Sequence, residues 1–278
     1  MNESIMELHL MQNDYNGCVG CSRTTSKLVS YKLIREDLNN QEILGKAPEI
    51  DFAGVYILVG TNDNGENIAY IGQSLNLLTR IKQPHDSIED NWSVVILVTT
   101  NDNSFNATSI SYIESKFIDE AKTAKRYILT NGNQPNNGNP TAKEKVTLNE
   151  YIANAKLYVQ TLGYPIFIPL VKENDEKFYL KHNNGNYDAK GVYNSSNNHF
   201  IVLAGSKLQD KQPTAGTAQF VIDVRVNNKN KVNNFITTED IEFSSPTVAA
   251  SFIIGQNANG ITAWKTKNGM TLKDYKER

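Results

Sequence analysis

Several things are scarce in this chain, and each scarcity narrows what it can do. There are two cysteines and four histidines among 278 residues. The cysteines, Cys18 and Cys21, form a lone CVGC with no second pair downstream, and His9 and His85 are too scattered to complete a zinc set. Zinc would need two more ligands, so the pair reads as two free thiols near a turn. No apolar run approaches the roughly 18 residues of a membrane helix, and no membrane partner is expected. The opening MNESIMELHL lacks the basic start and apolar stretch of a signal peptide, which points to the cytoplasm. Nor does one sign of charge dominate, the net charge being −2.

What is present suits a folded chain with real cores: 39% hydrophobic and 21% charged residues, with aromatics along the whole length. That length fits two compact units better than one. Charge is unevenly placed. Lys and Arg against Asp and Glu number 5 and 7 in residues 1–50, 6 and 10 in 51–140, and 17 and 13 in 141–278. Any phosphate-neutralising surface is therefore expected in the C-terminal half.

Four segments follow from the patterning. Residues 1–49 read as a strand or hairpin extension around Gly17 and Gly20. Residues 50–135 carry the sharpest signals. DFAGVYILVG and IAYIG are strands joined by the turn TNDNGEN, a β-hairpin. Ser74 is placed to cap the helix LNLLTRIKQ, and Pro84 to end it near Gln83, because the residue before proline disfavours helix. SVVILVTT is the uninterrupted β-branched run of a strand buried on both faces. A helix is expected from about Thr108 to Ala124, with RYILTN extended after it.

Residues 136–165 read as linker and connecting helix. The linker lies within GNQPNNGNPTAKEK (132–145), and the helix carries Leu148, Ile152, Ala155 and Val159. Residues 166–278 read as a second small domain. FYLK, GVYN, HFIVLAGS and AQFVIDV are its strands, SSPTVAASFIIG a helix with serine cap and glycine stop, and GITAWKTKNGMTL a closing hairpin. The fold class expected is α/β in the broad sense, of the mixed α+β kind.

One residue stands out before any family is considered. On a helical wheel Ile110, Ile113, Phe117, Ile118 and Ala121 make one apolar stripe. Glu114 falls inside it, about 40° from Ile110 and about 20° from Ala121. An unpaired buried carboxylate is costly, so Glu114 needs an arginine, a metal ion or a cleft edge.

Gly54-Val55-Tyr56, then Tyr70-Ile71-Gly72, Arg80 eight residues on, Glu114 on the next long helix and Asn131 after it form an ordered set. Together, over roughly residues 50 to 135, this set resembles the GIY-YIG nuclease superfamily. The resemblance implies a small nuclease domain with a three-stranded, mainly antiparallel sheet flanked by helices. It implies a metal-dependent DNA endonuclease that hydrolyses phosphodiester bonds with one divalent ion, Mg²⁺ or Mn²⁺, held by Glu114.

Arg80 matches the arginine that grips phosphate oxygens. Tyr56 and Tyr70 match the two motif tyrosines, one of which positions or deprotonates the attacking water, for which a nearby cation must lower the phenol pKa. His85 stands one place beyond the histidine or tyrosine of many relatives, that place being Pro84. The family asparagine matches either Asn131, which follows the strand YIL best, or Asn133 two residues further on. Gly72, Lys82 and Asn133 complete the expected substrate contacts.

The second half, through HFIVLAGSKL, FSSPTVAASFIIGQNANGITAWK and GMTL, resembles a domain of unknown function that often follows this nuclease in bacterial proteins. Its Ser206, Lys207, Asn259, Trp264 and Lys265 are candidates for contact with a phosphate backbone or a stacked base. Two other readings stand beside the nuclease. One is a catalytically weak protein that keeps the fold to bind DNA structures; the other is an interaction module with no nucleic acid partner, which the acidic middle segment suits.

Overall fold

A computed structural model describes residues 5–132, 137–210 and 217–278. The chain divides into two compact units, Met1–Pro169 and Leu170–Arg278. Both mix strands and helices. Among the described residues no helix is long and apolar enough to cross a membrane.

The first unit is built on one sheet of seven strands: β1 (Glu7–Leu10), β2 (Val19–Ser22), β3 (Leu28–Ile34), β4 (Gly54–Thr61), β5 (Asn67–Ser74), β6 (Trp92–Thr100) and β7 (Ile128–Leu129). Their spatial order is β1-β2-β3-β6-β4-β5-β7. The pairs are antiparallel except β5 with β7. Three strands were expected; of the four others, β1, β2 and β3 come from the N-terminal side and β7 follows α3. β3 pairs with β6 along seven residues, Leu28↔Thr100 to Ile34↔Val94. A strand as apolar on both faces as β6 needs hydrogen-bonded neighbours on both edges, and β3 and β4 supply them.

Alternation along the strands sends side chains to two layers. Val55, Ile57 and Ile71 face α3 (Ala107–Ala124) and α4 (Ala142–Thr161). Tyr56, Leu58 and Ile68 face the opposite layer, which holds α1 (Gln41–Leu44) and α2 (Leu77–Ile81). The two cysteines follow the same rule. Cys21 packs in the first core and Cys18 in the second, so they point to opposite faces of the sheet and cannot grip one ion together.

Local signals place the helices with two adjustments. α2 is a single turn, shorter than the apolar spacing suggests. Its cap is Asn76, whose side chain accepts from the Thr79 N–H, while Ser74 Oγ is taken up by the Asn76 backbone. α4 starts at Ala142 under a Thr141–Glu144 capping box, and its Leu148, Ile152, Ala155 and Val159 pack into the core of this unit.

The second unit has a five-stranded sheet in the order β13-β10-β9-β8-β14. The strands are β8 (Lys177–Lys181), β9 (Asp188–Asn194), β10 (His199–Val202), β13 (Ile241–Phe243) and β14 (Lys265–Thr266); β11 (Val232–Asn233) pairs only with β12 (Ile236–Thr237). One face packs on α6 (Pro246–Ile254) around Phe178, Phe200, Phe252 and Trp264. AQFVIDV, expected as a strand, is instead α5 (Gln219–Asn227). Tertiary contacts override its β-branched composition. Val221 is buried, and Arg225 donates to the Phe252 and Ile253 carbonyls at the end of α6. The closing segment is a short helix α7 (Gly260–Ala263), β14, a turn and α8 (Leu272–Lys276) rather than a full hairpin.

Trp264 is fully buried, stacks on Phe200 at 4.3 Å and donates its indole N–H to the Pro246 carbonyl. Trp264→Ala should therefore cost about 3–5 kcal/mol. Hydrogen exchange is expected to quicken in β8–β10 while β4–β6 stay protected; equal loss in both units would mean that their cores are coupled.

Candidate active site

The β4–β5 hairpin sets the site. Its register places Tyr56 opposite Gly72 and Tyr70 opposite Leu58, so the two tyrosines are diagonal neighbours on one face. Their ring centroids lie 6.1 Å apart. Gly72 is where Tyr56 needs it: a β-carbon there would run into the Tyr56 ring and hydroxyl. Gly54, opposite Ser74, is equally constrained, since a β-carbon would meet the Val98 carbonyl and Leu77 of α2. The glycines of the two motifs thus let one ring and one helix lie flat on the hairpin.

α2 brings Arg80 to the same cluster. Its guanidinium lies 5.7 Å from the Tyr56 ring centroid, and Nη1 donates to the Pro84 carbonyl at 3.2 Å. That contact gives Pro84 a function: it ends α2 and turns a carbonyl back onto the arginine. His85 then enters the core at 7% exposure. Its ring makes edge contacts with Tyr56 at 5.5 Å and Trp92 at 5.9 Å, and lies 6.3 Å from Tyr70. Neither ring nitrogen has a partner in hydrogen-bonding geometry among the described residues. Burial, with Arg80 next, lowers the His85 pKa, and the nearby Ile81 backbone only partly opposes this. His85 is therefore a neutral wedge behind the tyrosines. Its outer side borders a cavity of about 570 Å³ that Arg35, Lys82 and Trp92 also line. Lys82 itself is exposed.

Glu114 approaches from the other layer, on α3. Asn106 caps that helix by accepting from the Ser109 N–H. At 8% exposure Glu114 has one hydrogen bond, Gln73 Nε2 to its Oε2 at 3.0 Å, and no cation beside it among the described residues. Burial raises its pKa to about 7 against the pull of Gln73. Its charge is felt at the Tyr56 phenol, which burial and then the Tyr70 phenol push up while Arg80 pulls down. Tyr56 is 1% exposed, and burial outweighs the arginine, so its phenol stays protonated. Tyr70 and Arg80 are half-buried.

Asn131 has a clear structural task. Its Oδ1 accepts from the Ile71 N–H at 3.1 Å and its Nδ2 donates to the Ile71 carbonyl at 2.7 Å. It continues the β5–β7 pairing with a side chain and pins the strand between Tyr70 and Gly72. Asn133 lies outside the described residues. The structure thus brings Tyr56, Tyr70, Gly72, Arg80 and His85 together and sets Glu114 within electrostatic reach. Two contributors were not singled out from sequence. Gln73 was legible by alternation, since it must face α3 if Tyr70 and Gly72 face α2; Trp92 carried no signal beyond its size.

Among the described residues, no group of three or more His, Cys, Asp or Glu could hold a metal ion. A divalent ion here would have one protein carboxylate. Glu114 fits that part: among the described residues its Oε1 accepts no hydrogen bond and its carboxylate has no ion-pair partner, and a hard cation that keeps several waters needs little more from the protein.

In the second unit the candidates from sequence separate. Ser206 and Trp264 are buried, and Asn259 caps α7 by accepting from the Ile261 N–H. Lys207 and Lys265 are exposed. Residues 178–276 match a family model described as a domain of unknown function, DUF4357. No family match covers the nuclease-like segment, and no curated protein and no solved structure matches the chain.

The raised Glu114 pKa has a pH signature. Relative to an ordinary carboxyl, stability is fully present below the unfolded value of 4.5 and is lost as pH rises through about 7. The loss amounts to about 3 kcal/mol. In EDTA, urea midpoints of wild type and Glu114→Gln should coincide at about pH 4, and the variant should be the more stable by about that amount at about pH 8. A pH-independent difference would mean that Glu114 ionises as freely in the fold as outside it.

Proposed function

We propose that residues 50–135 act as a metal-dependent DNA endonuclease of the GIY-YIG type, hydrolysing phosphodiester bonds. The observation that carries the reading is Glu114, a buried carboxylate with no cation partner among the described residues, within electrostatic reach of a cluster of two tyrosines and an arginine. The finer fold reading goes with it: β4, β5 and β6, with α2 and α3, form the three-stranded nuclease element inside the larger sheet.

A divalent ion such as Mg²⁺ or Mn²⁺ bound at Glu114 would supply a Lewis acid and an acidified water. The protein's own groups divide the rest. Arg80 presents a permanent cation whose guanidinium forks onto phosphate oxygens and offsets charge gained in the transition state. Tyr56, held neutral, offers its hydroxyl as a hydrogen-bond donor rather than a base. Tyr70, half-buried in the middle of β5, keeps more exposure than Tyr56 and is the tyrosine assigned here to orient a water molecule. His85 is uncharged and holds both rings from behind, so it positions them. Lys82 adds an exposed cation at the rim, and Asn131 fixes the strand that carries Tyr70 and Gly72.

A second reading draws on Tyr56, whose burial makes it reluctant to lose a proton: the fold would bind branched or damaged DNA with little cutting. Nicking of supercoiled plasmid with Mg²⁺ or Mn²⁺ separates the two. Wild type should nick only with the metal, and Glu114→Ala and Arg80→Ala should each slow it by about 10²–10³-fold. Cutting that survives both substitutions sinks the proposed site, and salt-sensitive binding without cutting favours the second reading.

A further inference from the structure

The outer face of the second unit's sheet carries a residue pattern that its packing does not need. On β8, Phe178 and Leu180 point into the core, so Lys177, Tyr179 and Lys181 point outward. The register completes the ring. Tyr179 stands opposite Lys190 of β9 on one side and opposite Lys265 of β14 on the other. One half-buried tyrosine therefore has an exposed lysine on each of four sides: two along its own strand, two across the ladder.

Charge on this patch is largely uncompensated. Asp188 pairs with Lys181 at 3.0 Å, and Lys181 lies 5.9 Å from the Tyr179 ring centroid. Lys177, Lys190 and Lys265 have no ion-pair partner among the described residues. Toward β10 the same face is closed, since Val192 and Ile201 are buried, so the open part is confined to the β14–β8–β9 side.

We propose that this patch binds single-stranded nucleic acid, with a base stacked on Tyr179 and the phosphates on either side held by Lys190 and Lys265. The charge fits a polyanion. Neighbouring strands are about 4.8 Å apart, so the two lysines stand about 10 Å apart with the ring midway. A duplex hides its base faces, whereas a single strand can turn one onto an aromatic ring between cationic contacts. Trp264, the aromatic that the sequence offered for stacking, is in the core; Tyr179 takes that part. The inference stands apart from the cleavage reading, because it concerns binding by a different unit.

Fluorescence anisotropy of the full chain in EDTA, with a labelled single strand of about 15 nucleotides, reads binding without cutting. Tyr179→Ala should weaken binding by about tenfold or more, and Tyr179→Phe, which keeps the ring, should not. Lys190→Gln with Lys265→Gln should lower the slope of log affinity against log salt by about 1.4. Replacing the bases with abasic sites should match the effect of Tyr179→Ala. Tighter binding of duplex than of single strand, equal affinity of the Ala and Phe variants, or loss of binding only on Arg80→Ala would each overturn the proposal.

Discussion

The first unit depends on one cross-strand pairing, Tyr56 against Gly72. A slip of one residue would turn every side chain of the strand to the other face, sending Tyr70 toward α3 and Gln73 away from Glu114. Three features oppose the slip. Gly72 alone has room beneath the Tyr56 ring. β6 holds β4 from its other edge, with Tyr56 opposite Leu97. Asn131 grips both backbone groups of Ile71. Asn131, expected as a catalytic residue, thus fixes the strand that carries Tyr70 and Gly72.

Burial then decides the charge state of what the hairpin brings together. It favours the neutral form of Glu114, Tyr56 and His85 alike, which leaves Arg80 as a cation against the Tyr56 ring. A cluster selected for stability would have matched the carboxylate with a positive side chain or replaced it with an apolar one. Here Glu114 receives one amide hydrogen bond from Gln73, enough to orient it but not to offset the burial that raises its pKa.

How much was legible follows from the range of each interaction. Signals carried within one segment came through: the hairpin, the doubly buried β6, the extent of α3, and the inward-facing Glu114. Signals that depend on a distant partner did not. Nothing local says that β3 will join β6, so a sheet of seven strands read as three. α5 read as a strand because Val and Ile dominate its composition, and only the carbonyls at the end of α6, met by Arg225, make the helix worth forming. Ser74 and Asn76 are both good caps; the choice rests on backbone angles that neither residue fixes alone.

The lysine ring around Tyr179 belongs to the same class, invisible until three strands are in register. In sequence Lys177, Lys181, Lys190 and Lys265 are spread over 89 positions and read as ordinary solvated charge. Elsewhere in this unit acids and bases meet, as in His199 with Glu242 and Lys231 with Glu239. Like charges about 10 Å apart repel only weakly at ordinary salt, because that spacing is comparable to the screening length. The sheet tolerates the ring at small cost, yet a polyanion crossing it would meet several cations at once and release its own counterions. Charge is also uneven along the chain. The segment around the tyrosine pair carries 6 basic against 10 acidic residues, a poor landing place for nucleic acid, while residues 141–278 carry 17 against 13. Under the cleavage proposed above, attraction and chemistry would fall to different residues: the lysines around Tyr179 for the first, Arg80 and Glu114 for the second.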